Sequence, residues 1–266
     1  VIFSAETATG LLSHFISAIR GGALYRKATF LLDHLGQPVF PDFVHIHEAP
    51  HIKKGLGSAP FDSEGVATRA RDSVRDGILQ GYVLDSYAAR KLVMQTTGNA
   101  GGVHNLCLDP GQHDLPGLLR LMDTGLMVTE LLGYGVNIVT GDYSRGAAGF
   151  WVERGEIQYP VEEITIAGNL RDMFLRLSEA GADIETRGNI RTGSLLIENM
   201  TIAGFHTGTC GNMPTKAVNH IATSITGNGY RAIDKSIVVH FSISCIQHHD
   251  ALVVVYKNIT GCNGCT

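Results

Sequence analysis

Residues 148–159 read Ala148-Gly149-Phe150-Trp151-Val152-Glu153-Arg154-Gly155-Glu156-Ile157-Gln158-Tyr159. Two apolar runs meet at Glu153-Arg154-Gly155-Glu156, and Gly155 supplies the positive φ that a tight hairpin turn requires. Asp76-Gly77 marks a second turn of the same kind. Further out, glycine, at 32 of 266 residues, repeatedly interrupts short apolar or alternating runs, as in Gly77 to Leu84 and Gly149 to Ile157. Such punctuation predicts short strands joined by tight turns.

Helices are fewer. The clearest prediction runs from Ala5 to Arg20: Ser4 can cap it, Glu6 suits its positive end, and Gly21-Gly22 should stop it. Leu11, Leu12, Phe15, Ile16 and Ile19 fall on one stripe of a 3.6-residue period, so one face should be buried. Amphipathic stripes also predict helices over Leu115 to Asp123 and over Asn169 to Ala180, the latter with Leu170, Met173, Phe174 and Leu177 inward. Strands grouped between a few helices, without regular βαβ alternation, give an α+β fold class with a mainly antiparallel sheet.

The composition, 44% hydrophobic and 17% charged with a net charge of -4, is that of a globular protein. It argues against nucleic acid as a partner, because a phosphate-binding surface needs an excess of Lys and Arg. No long uncharged apolar run could span a membrane and no signal pattern opens the chain, so a cytoplasmic location is expected. Val1 already stands in an apolar strand-like run, which suggests that the natural N-terminus lies further upstream. Cys107 is alone in the first 204 residues, as suits a reducing compartment. Beyond Gly204 the text changes: residues 205–266 hold four cysteines and five histidines but only two acidic residues, with no amphipathic period. We therefore divide the chain into a domain over 1–204 and an extraneous extension over 205–266.

His47-Glu48-Ala49-Pro50-His51 satisfies the H-E-x-x-H pattern of zinc proteases, which requires a helix to bring both imidazoles to one face. Pro50 is incompatible with that helix, and Val44 and Ile46 alternate with Phe43, His45 and His47 as in a strand. On a strand, His47 and His51 would stand about 13 Å apart at roughly 3.3 Å per residue, too far for one ion. His47 and His51 are therefore rejected as a zinc pair. Gly55 to Val66 is loop text carrying Asp62 and Glu64, which could line a substrate cleft or simply bond their own backbone. Thr96-Thr97-Gly98-Asn99-Ala100-Gly101-Gly102 could cradle an anion or a peptide backbone with its amides, or be a plain loop. Ser144 lacks the flanks of a nucleophile elbow, and Cys262-Asn263-Gly264-Cys265 lacks both a second pair and a thioredoxin-like setting.

Several strings together carry a resemblance: Gly21 to Lys27, His51 to Ser58, Phe61 to Thr68, Gln95 to Gly102, Gly141 to Trp151, and Tyr159 to Asn169. Over residues 1–204 the chain resembles the C-terminal domain of the TldE/PmbA branch of the TldD/PmbA metalloprotease family. The resemblance implies a cytoplasmic TldD–TldE-type heterodimer that cleaves extended peptides. In that pair zinc is held by the TldD-like catalytic subunit through H-E-x-x-x-H on a helix and a cysteine in a later loop. Those positions fall here on Ser13-His14-Phe15-Ile16-Ser17-Ala18 and on about Arg187 to Thr192, without the ligands. The resemblance thus implies no metal bound by this chain and a supporting role beside its partner. Asp62, Glu64, Gly98, Asn99, Gly101 and Gly102 are the candidates for a wall that holds an extended peptide, with no catalytic residue assigned. The alternatives are an independent zinc peptidase using His47, Glu48 and His51, and a purely structural interaction module.

Overall fold

The computed structural model describes residues 1–204. In chain order the elements are β1 (Ile2–Phe3), α1 (Ala5–Ala18), α2 (Gly21–Tyr25), β2 (Ile46–Glu48), β3 (Arg71–Arg75), β4 (Ile78–Leu79), α3 (Ser86–Lys91), β5 (Leu106–Leu108) and α4 (Leu115–Met122). They continue with β6 (Gly125–Leu132), β7 (Asp142–Glu153), β8 (Glu156–Asn169), α5 (Leu170–Leu175), β9 (Leu177–Ala180), β10 (Ile190–Arg191), β11 (Leu195–Ile197) and β12 (Thr201–Ala203). The fold is α+β with mainly antiparallel sheets, as the sequence implies. The extension over 205–266 and its C-x-x-C lie outside the described residues.

A seven-stranded sheet has the order β12-β8-β7-β6-β1-β11-β9, with β1 and β6 its single parallel pair. The hairpin of residues 148–159 is its spine. Arg154 (φ 54) and Gly155 (φ 74) both take left-handed geometry, the two-residue turn whose twist matches the flanking strands. Gly155 is required twice over, since a Cβ there would stand 2.9 Å from Arg120 Cα. The flanking strands run to 12 and 14 residues, longer than the glycine punctuation suggests.

Successive residues of a strand face opposite sides. Phe3, Val128, Leu195 and Ile197 therefore join the main core under α1, while Ile2, Met127 and Leu196 pack with Leu118 and Leu119 of α4 on the other face. Leu11, Leu12, Phe15 and Ile16 form the buried stripe of α1, and Phe15 meets Phe40 and Phe174 edge-on at 5.2 and 5.9 Å.

Two predicted helices end early. Helix α1 stops at Ala18 because Thr29 Oγ1 donates to Ala18 O at 2.6 Å and Val83 N to Ile19 O at 3.0 Å, which caps its last carbonyls from outside. Gly21-Gly22 then opens α2 instead of only terminating α1. Helix α5 stops at Leu175 because Leu177–Ala180 pairs with β11; Leu177 fits the helical stripe and the inward face of a strand equally well, and the ladder decides.

A five-stranded sheet, ordered β10-β5-β2-β3-β4, is closed by the second predicted turn, with Asp76 at φ 51 and Gly77 at φ 72. Only β10 and β5 run parallel in it. Among the described residues no helix is long and apolar enough to cross a membrane.

Candidate functional site

The central strand β2 sorts its side chains by parity. Val44, Ile46 and Glu48 go inward and are buried, while His45 and His47 go outward and remain about one-third exposed. Glu48, only 2% exposed, is a carboxylate at a position where alternation calls for an apolar residue. Its Oε1 accepts Arg71 Nε at 2.9 Å, and its Oε2 accepts Asn99 Nδ2 at 2.9 Å and the His104 amide at 2.8 Å. Arg71 donates onward to Tyr82 O at 2.8 Å. Burial pulls the Arg71 pKa down, against the opposing pull of Glu48. A charge pair is tolerated out of water only with this degree of bonding.

His47-Glu48-Ala49-Pro50-His51 accordingly builds no zinc-protease centre. Glu48 points away from His47 with both oxygens engaged, so it cannot serve as a general base. His51 lies past Pro50 in a turn, its Nε2 3.1 Å from Thr68 Oγ1.

The two Gly-rich loops come together through Asp62. Its Oδ1 accepts the amides of Glu64 and Val66, its Oδ2 accepts that of Ala100, all at 2.9 Å, and Ser63 N donates back to Ala100 O at 3.0 Å. Burial raises the Asp62 pKa, but the three amides outweigh it and hold the carboxyl below its usual value. Glu64 Oε2 accepts Ser86 N at the start of α3. Asn99, 4% exposed, sits behind the loop and also donates to Gly102 O. Gly101 faces Ser63 from the exposed rim. Gly98 needs its φ of +71 and its missing Cβ, which would lie 3.0 Å from Ala67 O.

In front of this scaffold runs a groove of about 270 Å³ between Val66–Arg69 and Thr96–Gly98. Of the six wall candidates only Gly98 lines it; Asp62 and Asn99 are buried supports, and Glu64, Gly101 and Gly102 do not line it. A further support passed unnoticed in the sequence. Asn105, fully buried, accepts Gly57 N and donates to Ala49 O and Ser58 Oγ, while Asn189 accepts the Asn105 amide at 2.6 Å.

On the outer face His45 Nδ1 lies 2.9 Å from Asp109 Oδ2 and His45 Nε2 3.0 Å from Asp72 Oδ1, while His47 Nδ1 is 3.3 Å from Asp109 Oδ1. Burial lowers the His45 pKa, and the two flanking carboxylates more than reverse this, leaving it raised. The signal available in the sequence was the pair His45 and His47: two residues apart on a strand, they must share a face.

The positions that the family resemblance assigns to zinc tell a different story. Helix α1 packs near β10, so the two segments are neighbours. Yet Ser13 is exposed, Ala18 is a fully buried methyl, and His14 lies edge-on to Tyr143 at 6.2 Å with its pKa lowered by burial and by Arg145. Among the described residues no set of metal donors converges there. These residues do not fit a zinc ion.

Residues 1–204 match the family described as PmbA/TldA metallopeptidase C-terminal domain. The chain is 58% identical over 204 residues to the metalloprotease PmbA of Escherichia coli O157:H7, covering 77% of this chain and 45% of that one. It is 58% identical over 205 residues to the PmbA homologue of Haemophilus influenzae, covering 77% and 46%. The crystal structure of TldE from Thermococcus kodakarensis superposes with a TM-score of 0.67 at 26% identity, over 76% of this chain and 49% of that one. The chain thus spans about half the length of the curated relatives it matches.

Proposed function

The chain belongs to the PmbA/TldD metallopeptidase family through the C-terminal domain at residues 1–204, and on that footing we propose that it is the non-catalytic subunit of a TldD–TldE-type protease. In this reading it works in the cytoplasm beside a TldD-like catalytic subunit, which holds the zinc, and helps to confine an extended peptide for cleavage. The observation that carries the reading is helix α1: Ser13, His14 and Ala18 stand where the family resemblance puts the catalytic sister's ligands and base, His14 is the one metal donor among the three, and Ala18 is completely buried. Zinc hydrolysis needs about three protein ligands and an open position, and those segments offer no such set.

Peptide holding is assigned to the groove between Val66–Arg69 and Thr96–Gly98. An extended segment can be held there mainly through its backbone, which suits a protease of broad specificity. The support from the structure is the bonding behind the groove, where Asp62 ties one loop to the other and Asn99 ties the second to Glu48.

The test is peptidase activity on unfolded peptides, measured with the chain alone and again after addition of a TldD-like subunit. Activity is expected only with the partner, unchanged by His47→Ala. Hydrolysis by the isolated chain that disappears in His47→Ala would overturn the reading in favour of an independent peptidase.

A further inference from the structure

Strand pairing places three metal donors on the solvent side of the five-stranded sheet. His45 and His47 project from one face of β2, and the antiparallel register Ile46↔Leu108 with His47↔Cys107 brings Asp109, just past β5, beside them. The backbone fixes this juxtaposition, because Asp109 N donates to His45 O at 3.0 Å. The donor atoms of His45, His47 and Asp109 all lie within 4.8 Å of one another.

The finer geometry favours an ion over a simple charge pair. His47 Nδ1 is a buried atom that makes no hydrogen bond, although Asp109 Oδ1 is 3.3 Å away. Two ligands of one tetrahedral zinc, each bound at about 2.0 Å, stand at roughly that separation. His45 can present Nδ1 to the same point while its Nε2 donates to Asp72 Oδ1 at 3.0 Å, and Asp72 is in turn paired with Arg75. A carboxylate on the far nitrogen of a ligating imidazole fixes its tautomer and orientation. Cys107, across from His47, stays outside the set, its thiol turned to Asn105 O at 3.4 Å.

We propose that His45, His47 and Asp109 form a binding site for a zinc-class divalent cation, oriented by Asp72. Two imidazoles and one carboxylate suit a borderline ion such as Zn²⁺. The site clamps β2 to β5. It carries no hydrolytic machinery, because Glu48 faces the opposite side of the sheet.

The proposal does not rest on the proposed function, and its test uses the full chain without a partner. The chain is stripped with a chelator and titrated with Zn²⁺ by calorimetry. Residues 205–266 carry five histidines and four cysteines, so the quantity to read is a difference in stoichiometry. His45→Ala and His47→Ala are each expected to lose one equivalent relative to wild type, and His51→Ala to keep it. Asp72→Asn should weaken that site roughly 10–100-fold. Zn²⁺ should also protect His45 and His47 of the unaltered chain from diethyl pyrocarbonate, which reads the site without any substitution. Equal stoichiometry in wild type and in folded His45→Ala and His47→Ala, loss in His51→Ala instead, or no protection of the two histidines would overturn the site.

Discussion

Around β1, β6 and β11, neighbouring residues divide cleanly between two apolar layers, with Phe3, Val128 and Leu195 on one side and Ile2, Met127 and Leu196 on the other. Around β2 the same alternation ends differently: Val44 and Ile46 are followed inward by Glu48, and the interior continues as Arg71, Asn99, Asn105 and Asp62. Both sheets bury apolar residues, Ile46, Val74, Leu79, Leu106 and Leu108 of the smaller one included, but at Glu48 the smaller sheet is also held by bonds with fixed partners. The second arrangement costs more if any member is lost, because a buried group left without its partner keeps its full desolvation penalty. It also positions backbone with a precision that close packing of side chains alone does not give to loops, and the groove is made of loops.

The largest expected effects test this contrast directly. Glu48→Ala leaves the largely buried Arg71 without its counter-charge and should destabilise the chain by about 3–5 kcal/mol in a urea titration. Phe15→Ala, at the aromatic centre under the large sheet, should cost a similar amount, about 3–5 kcal/mol, through cavity formation. What separates them is rescue. Replacing Glu48 and Arg71 together by methionine should recover part of the loss, since the apolar pair removes the unpaired charge but still leaves Asn99 and the His104 N–H without their acceptor. A loss below about 1 kcal/mol for Glu48→Ala would erase the distinction between the two sheets.

The same contrast separates what could be read in the sequence from what could not. The hairpin at Arg154-Gly155, the stripe of α1 and the α+β class follow from local periods and turn chemistry, so they were legible. The ends of α1 and α5 were not, because Thr29, Val83 and β11 decide them from elsewhere in the chain. The strand character of His47 was legible from Pro50 and the alternation before it. The inward role of Glu48 was not, since its partners Arg71, Asn99 and His104 are 23, 51 and 56 residues away. The six wall candidates were read from two loops, and their separate places were not legible: Asp62 and Asn99 bond the loops from buried positions, and Gly98 alone of the six lines the groove, because those bonds join residues 38 and 51 positions apart.

An intermediate effect is expected at Asp62. In Asp62→Asn an amide would face the Ala100 N–H in place of the accepting Oδ2, and the cost should be about 1–3 kcal/mol. Because the folded Asp62 pKa is depressed, its contribution is fully present above the unfolded value of about 3.9 and lost as pH falls through the lower folded value. The stability gap between wild type and Asp62→Asn should therefore be constant from pH 5 to 7, at about 1–3 kcal/mol, and shrink below about pH 4. A gap that persists unchanged into acid would show that the loop is held by something other than the charge.

The smallest effect belongs to the apolar sheet, where a local residue opposes the fold that surrounds it. Arg154 takes φ 54 at the first turn position between β7 and β8, a geometry that costs most L-residues roughly 1–2 kcal/mol. Asparagine tolerates that region far better, and Asn-Gly is the preferred pair for this turn. Arg154→Asn should thus raise stability by up to about 1 kcal/mol, read as a small increase in midpoint with an unchanged denaturant slope. The gain is expected because the long ladder between β7 and β8 and the apolar layers beneath it impose the turn whichever residue occupies it. A loss instead would mean that the Arg154 side chain contributes to the hairpin, and that even the apolar sheet depends on a particular polar residue.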